Sequence, residues 1–415
     1  MAKLMMNNNF PSLLLPHIEA REWQQKALAE WLKEMRGVAS VVTGGGKTIF
    51  SFLCIQEFWK KFADGRVIIL VPTITLLDQW HVSLQEDLGV PAKEIACFSS
   101  QEKEKKPRAV NVLVINSGRH LVRKLAKGQR VFLIVDECHR AGSPENAKAL
   151  QGEFAAALGL SATPQREYDL GFQEHVVPAL GAVIFEYDYS QAYEDGVIAP
   201  FELVNVQVDL LVSEQKEYYR LTKRAAVLLH KAKDAEARVE VEEKLKRILQ
   251  MRAAISATAK MKIPVSAKIV EQNRGARTIV FHERTSSAKD LFEVLRQRNH
   301  SVCLYHSRIT PEVRRDNLRL FRRGVFDVLI SCRALDEGMD VPETTVALIA
   351  SSTASLRQRI QRLGRVLRPS KGKQKAIIYT LYATKQEYKR LLREAERLEG
   401  MARVQWSISK RQAHR

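Results

Sequence analysis

VASVVTGGGKTIFSFLCIQEFWKK, residues 38–61, decides the fold. It opens on a short β-branched run, turns on three consecutive glycines, and passes through Lys47-Thr48 into a stretch with helical spacing. Three glycines in a row suit neither a helix nor a strand interior, because glycine loses the most backbone freedom on folding. They do permit a turn whose N–H groups face inward, close enough to touch an anion. The N-terminus of the following helix adds partial positive charge. Strand, glycine turn, Lys-Thr and helix together read as a phosphate-binding loop formed by Thr43, Gly44, Gly45 and Gly46. Lys47 can reach β- and γ-phosphates, and the Thr48 hydroxyl can ligate Mg²⁺. The longer pattern GxxxxGKT has glycine where this chain has Val41, whereas the shorter TGxGKT is intact from Thr43 to Thr48.

Similar apolar runs lie on both sides of this loop. RVIILV (66–71), NVLVI (111–115), VFLIV (131–135) and LGLSA (158–162) alternate with segments of helical spacing. One such segment, residues 21–35, places Trp23, Ala27, Leu28, Trp31 and Leu32 on a single stripe. Apolar strands alternating with helices predict a parallel sheet covered on both faces. The pattern stops near Pro200. Residues 213–260 are rich in Glu, Lys, Arg, Ala and Leu with helical periodicity, and Pro264 punctuates them. Strand runs then resume as TIVFH (278–282), SVCLY (301–305), DVLIS (327–331), VALIA (346–350) and AIIYT (376–380). The expected fold is α/β, with two parallel-sheet lobes in tandem and a helical insertion between them. Its expected divisions are a first lobe over 1–200, a helical connecting segment over 201–272, a second lobe over 273–383 and a basic helical tail over 384–415.

The formal net charge of +19 predicts a polyanionic partner, nucleic acid before any acidic membrane surface. Residues 351–415 carry 17 Lys and Arg against 4 Asp and Glu, two thirds of the net charge in the last sixth of the chain. That concentration favours a binding surface over a merely solvated helix face. The five cysteines form no CxxC pair and no zinc-ligand spacing, which points to a reduced, cytoplasmic protein. No apolar run has the length of a membrane span, so no membrane role is expected. No nuclease, methyltransferase or zinc module is legible.

VFLIVDECHR (131–140) is an apolar strand ending in two adjacent carboxylates. A carboxylate at the C-terminal end of a parallel strand stands at the rim where ligands bind. Asp136 is placed to hold Mg²⁺, and Glu137 to orient and deprotonate an attacking water. Alone, the pair also fits a strand end with solvated acids. A glycine loop about 90 residues upstream favours the catalytic reading. His139 fits a buried, hydrogen-bonded core histidine, but its place three residues after Asp136 suggests a polar link towards the second lobe instead. Cys138 reads as a small packing residue.

With these residues in view, the chain resembles the superfamily-two helicases and translocases. DECH (136–139) is similar to their DExH box, and LSATP (160–164) to their SAT motif. VPTITLLDQW (71–80) resembles the segment that touches one nucleic-acid strand, and REWQQKAL (21–28) the nucleotide-specificity motif. ALDEGMDVP (334–342) resembles motif five, and QRIQRLGRVLR (358–368) the arginine motif QxxQRxGRxxR. The motifs run in family order from about residue 20 to 370, with nearest likeness to the XPB-like and RadD-like DNA translocases.

The resemblance implies two RecA-like lobes, with ATP and Mg²⁺ as cofactors. It implies that Arg21 and Gln24 serve the adenine end and that Asp340 sits near the ribose or assists coupling. Gln361, Arg365 and Arg368 are implied to face the γ-phosphate. Arginine suits that charge because its planar fork donates two parallel hydrogen bonds. Arg362 also fits a basic face gripping a nucleic-acid backbone. His139, Ser161 and Thr163 are implied to couple hydrolysis to movement, although Ser161 and Thr163 also fit a turn before Pro164. Candidate nucleic-acid contacts are Thr73, Gln79, Ser117 and Arg119, then His306, Arg308 and Arg333; each also fits a loop or cap. The expected activity is an ATP-dependent DNA helicase or translocase in repair, recombination or defence. Its partner would be single-stranded, duplex or forked DNA, and its setting the cytoplasm or, in a prokaryote, the nucleoid. A DExH-type RNA helicase and a non-motor ATP-gated sensor or loader are the alternatives. Any cleavage would come from a nuclease or other protein partner.

Overall fold

Near-continuous Val, Ile and Leu runs leave a strand no solvent face, and the structure buries them on both sides. The computed structural model describes residues 19–42, 44–102, 106–162, 171–195, 201–231, 238–332, 344–351, 376–396 and 402–408. The chain forms two compact units that divide near residue 198, with Ile309–Arg319 grouped with the first.

The first unit carries α1 (Glu22–Glu34), β1 (Val38–Val41), α2 (Lys47–Lys61), β2 (Arg66–Val71), α3 (Ile74–Glu86), β3 (Ile95–Phe98), β4 (Val110–Val114), α4 (Ile115–Ala126), β5 (Val131–Asp136), β6 (Ala156–Ser161) and β7 (Val183–Tyr187). Its seven strands lie in the order β3-β4-β2-β5-β6-β1-β7, every neighbouring pair parallel. Alternate side chains build two cores. Ile69, Phe132 and Ile134 pack on one face with Trp31, Phe50 and Phe58. Ile68, Leu70, Leu133 and Val135 pack on the other with Phe172 and Leu180. Because all strands run the same way, Val41, Asp136 and Ser161 end on one rim; Asp136 stands opposite Leu160 and Ser161 opposite Ser40.

The stripe on α1 is rotated from its expected position. Trp23, Ala27 and Trp31 are buried, but Leu28 is only half-buried and Leu32 is exposed. Gln24 takes the buried place instead, for a reason that belongs to the phosphate loop.

The second unit carries β8 (Phe201–Gln207), α5 (Val212–Lys231), α6 (Arg238–Ala257), α7 (Lys262–Gln272), β9 (Thr278–His282), α8 (Thr285–Gln297), β10 (Val302–Tyr305), α9 (Pro311–Arg322, shared with the first unit), β11 (Val328–Cys332), β12 (Val346–Ile349), β13 (Ala376–Tyr382), α10 (Lys385–Glu396) and β14 (Ala402–Ile408). Its strand order is β10-β11-β9-β12-β13-β8-β14, again with parallel pairs. The expected helical segment is present as α5 and α6, which pack through Leu221, Ala225 and Ile248.

Two expectations change here. Residues 201–207, assigned from sequence to the helical connection, are a strand inside the second sheet. The expected helical tail is helical only over Lys385–Glu396, and 402–408 form the edge strand β14. That strand is half-polar, and its Val404, Trp406 and Ile408 recur at every second residue, a period masked by neighbouring basic residues. Trp406 meets Tyr388 and Tyr382 edge-on, with centroids 4.9 and 5.8 Å away, so it packs on its own unit.

Candidate nucleotide site

The phosphate loop leaves β1 and enters α2, so its backbone stands at the C-terminal rim of the first sheet. Gly46 has φ +105°, in the left-handed region that side chains rarely adopt. A Cβ at Gly46 would lie 2.7 Å from Gln24 Nε2, and one at Gly45 2.7 Å from Val41 Cγ1. The cradle therefore needs glycine at both positions. Gly44 is buried beside them, and Thr43 lies outside the described residues.

The start of α1 holds the loop by its carbonyls. Arg21 Nη1 and Trp23 Nε1 donate to Gly45 O at 2.9 and 3.1 Å, and Gln24 Nε2 donates to Gly46 O at 2.9 Å. Gln24 Oε1 accepts from the Arg21 backbone N–H at 2.8 Å. These bonds turn the loop carbonyls towards α1, while within the loop the Gly45 N–H donates to Val42 O at 3.0 Å and does not face an anion. Trp23, which sequence reading counted only as core, is thus also a contact of the loop. It stacks on Tyr187 at 5.2 Å with a 17° interplanar angle. Lys47 is buried at the first turn of α2, its Nζ donating to Val41 O at 3.1 Å; Thr48 is half-buried next to it.

Asp136 ends β5 and is 8% exposed. Its Oδ1 accepts from Glu137 N at 2.9 Å and its Oδ2 from Trp80 Nε1 at 3.0 Å. Glu137 follows in the left-handed conformation, φ 49° and ψ 49°, a strained backbone for a residue with a side chain. His139 Nδ1 lies 2.9 Å from Ser161 Oγ and 3.6 Å from Glu137 Oε2. Among the described residues His139 thus meets Ser161, at the end of β6, and Glu137, both in its own unit. Burial, then the charges of Glu137 and Asp136, push the Cys138 thiol well up, so it is a packing residue.

The expected nucleic-acid contacts are scattered in character. Thr73 caps α3, accepting from Leu76 N at 3.3 Å. Gln79 is buried, and its Nε2 has no hydrogen-bond partner among the described residues. Ser117 and Arg119 lie on α4 rather than in a loop, because Ile115 opens the helix instead of closing the strand. Arg119 Nε donates to Asn146 Oδ1 at 3.1 Å, and Gly118 packs against Leu70. In the second unit His306 is buried after β10 and accepts from Arg308 N at 3.2 Å, while the Arg308 side chain is exposed. Thr163, Arg333, Asp340, Gln361, Arg362, Arg365 and Arg368 lie outside the described residues.

A magnesium nucleoside triphosphate fits the residues present. The glycine cradle offers N–H groups, Lys47 a cation, and Thr48 and Asp136 hard oxygen donors. Mg²⁺ is commonly held by one or two protein oxygens plus phosphates and water, which matches so small a donor set.

Comparison with known proteins agrees with this geometry. Residues 17–166 match the family described as type III restriction enzyme, res subunit, and residues 261–370 match the helicase conserved C-terminal domain. The chain is 27% identical over 375 residues to the DNA 3'-5' translocase XPB2 of Sulfurisphaera tokodaii, covering 86% of this chain and 80% of that protein. It is 28% identical to the putative DNA 3'-5' helicase Rad25 of Haloarcula marismortui, covering 90% of this chain and 54% of the relative. It is 26% identical to the DNA 3'-5' helicase XPB of Mycobacterium tuberculosis, covering 88% and 61%. The chain thus spans little more than half the length of the last two. Among solved structures, S. cerevisiae Dbp5 bound to RNA and ADP BeF3 superposes with a TM-score of 0.63 at 15% identity, over 94% of this chain and 90% of that one. The Pyrococcus furiosus Hef helicase domain gives 0.53 at 18%, over 91% and 98%. At such identities these two likenesses speak for the fold.

Proposed function

We propose, from the premise that this chain is a superfamily-two helicase of the DExH type, that it is an ATP-driven motor on DNA which translocates along it or unwinds it. The observation that carries the reading is the joining of phosphate loop, Asp136-Glu137 and Ser161 on one sheet rim, in a chain similar to proteins named as DNA 3'-5' translocases and helicases.

In this reading the loop N–H groups and Lys47 bind the phosphates, and Thr48 and Asp136 hold Mg²⁺. Bound MgATP supplies a polarised γ-phosphorus for attack by water. Glu137 orients that water and takes its proton. The left-handed turn at Glu137 sends its carboxylate off the strand direction while Asp136 stays at the strand end. His139 connects that turn to Ser161, so a change at the carboxylate reaches the segment that follows β6. Arg21, Trp23 and Gln24 set the loop carbonyls, which ties nucleotide recognition at α1 to the shape of the cradle.

The formal charge of +19 supports phosphate-backbone contacts, which suit a motor that must tolerate every sequence. The test is ATP hydrolysis measured with single-stranded DNA, duplex DNA, forked DNA and RNA. Stimulation by DNA, with affinity falling steeply as salt rises, is the expected result. Stimulation by RNA alone would transfer the reading to an RNA helicase. No turnover with any of them would leave an ATP-gated binder.

A further inference from the structure

Trp80 lies midway along α3, 2% exposed, in a stretch whose expected role was contact with nucleic acid. Its indole N–H instead donates to Asp136 Oδ2 at 3.0 Å, and its ring meets Phe52 of α2 edge-on at 5.9 Å. One side chain on α3 therefore touches both the helix that follows the phosphate loop and the carboxylate that ends β5. The other Asp136 oxygen is engaged by the Glu137 backbone N–H.

We propose that Trp80 is a positioning residue for Asp136, holding its carboxylate in the orientation that presents a hydrated magnesium ion to the nucleotide. The inference rests on the reading of Asp136 as the magnesium carboxylate. Rotation about the last bond of an aspartate is broad and roughly two-fold, so a carboxylate on a strand end has no fixed plane of its own. A donor on each oxygen, supplied by a different element, fixes that plane. Indole suits the task because it only donates, carries no charge and does not titrate. Lysine or arginine at this place would compete with the metal for the carboxylate, and a hydroxyl could turn its proton to another acceptor. A carboxylate oxygen can accept more than one hydrogen bond, so a donor on each does not by itself exclude water on the metal. The edge contact with Phe52 holds the indole against rotation, so Asp136 keeps a constant aim relative to α2.

The test uses the full chain with Trp80→Phe, which removes the N–H, and with 3-benzothienylalanine at position 80, which keeps the two-ring outline and puts sulfur in place of N–H. Mn²⁺ affinity in the presence of adenylyl imidodiphosphate is read by electron paramagnetic resonance. Affinity for the same nucleotide in excess EDTA is read in parallel. Loss of such an outer partner lowers metal affinity about 10-fold or more. Both variants are expected to lose Mn²⁺ affinity by about that factor and to bind metal-free nucleotide within about two-fold of the parent. Unchanged Mn²⁺ affinity in the benzothienyl variant overturns the proposal, as does an equal loss of metal and metal-free nucleotide binding, which marks a packing role. Asp136→Asn separates the underlying reading. If it leaves Mn²⁺ affinity unchanged, the magnesium role of Asp136 fails and the positioning role with it. If it lowers the affinity and neither Trp80 change does, only the positioning role falls.

Discussion

The His139 ring stands 2.9 Å from the Ser161 hydroxyl, closing a bond between the turn after β5 and the end of β6. The same ring nitrogen is 3.6 Å from Glu137 Oε2, so His139 faces the proposed general base and the sheet at once. Ser161→Ala removes this bond and leaves the phosphate loop, Asp136 and Glu137 in place. ATP hydrolysis stimulated by DNA is expected to stay within a few-fold of the parent, while base pairs separated per ATP fall about tenfold, the size of a typical coupling between sites. Parallel ATPase and strand-displacement assays check it. A proportional fall in both would make Ser161 part of the hydrolytic step and remove its coupling role.

Gly46→Ala addresses the loop. The residue sits at φ +105°, and the added methyl would lie 2.7 Å from Gln24 Nε2. The variant must either relax the left-handed turn or displace Gln24 from Gly46 O. Strain of this kind costs about 1–3 kcal/mol. ATP affinity, titrated with a fluorescent analogue, is expected to fall about tenfold or more, whereas Gln24→Ala, which releases Gly46 O and the Arg21 N–H without straining the loop backbone, should cost less. Equal affinity in parent and Gly46→Ala would remove the loop from the binding site.

Glu137→Gln separates binding from chemistry. The change keeps the shape of the side chain and its distance from His139 but removes the base. Hydrolysis is expected to fall about 10²–10⁴-fold, the worth of a positioned general base, with ATP still bound. Lys47→Ala should lose both, since its ammonium is buried within the loop itself. Single-turnover hydrolysis and nucleotide titration measure the two quantities, and retained turnover in Glu137→Gln would contradict the assignment.

Much of this was legible in the sequence because parallel strands buried on both faces read as unbroken apolar runs. RVIILV and TIVFH are strands over the whole quoted lengths, 66–71 and 278–282, and KTIFSFLCIQEFWKK is a helix over the whole of 47–61. Four strands were missed. FELVNVQ carries Glu202, Asn205 and Gln207, and ARVQWSI carries Arg403, Gln405 and Ser407, and the two pair with each other in the second sheet. IACF (95–98) and VIFEY (183–187), though mostly apolar, were missed as well; they are the two edges of the first sheet. In the proposed site, spacing pointed to Lys47, Asp136 and Glu137. Trp23 and Trp80 were missed because an aromatic on a helix stripe looks like core. Their rings do pack as core, and only the geometry shows where each indole N–H goes.

The last prediction concerns His282, at the end of β9 in the second unit. It is 3% exposed, and neither ring nitrogen has a hydrogen-bond partner among the described residues. Burial, reinforced by the charge of Lys262, lowers its pKa from 6.5 to about 4. Lys262 is itself buried and lies 3.6 Å from Glu387, whose carboxyl is held below its usual range; burial opposes that shift, but the Lys262 charge and hydrogen bonds from Ala383 and Thr384 outweigh it. The unfolded chain takes a proton on this histidine near pH 6.5, and the folded one only near 4. Stability from keeping His282 neutral is therefore complete above about pH 6.5 and is lost progressively as pH falls towards 4. The integrated effect is roughly 3 kcal/mol. Glu387, being lowered, acts in a separate window, its contribution present above its unfolded value of 4.5 and lost below. Urea unfolding at about pH 7.5 and about pH 5 should show the parent losing more stability than His282→Gln, by about 1–2 kcal/mol. An equal loss in both proteins would mean that the imidazole finds a partner for its proton in the folded state and stays charged there.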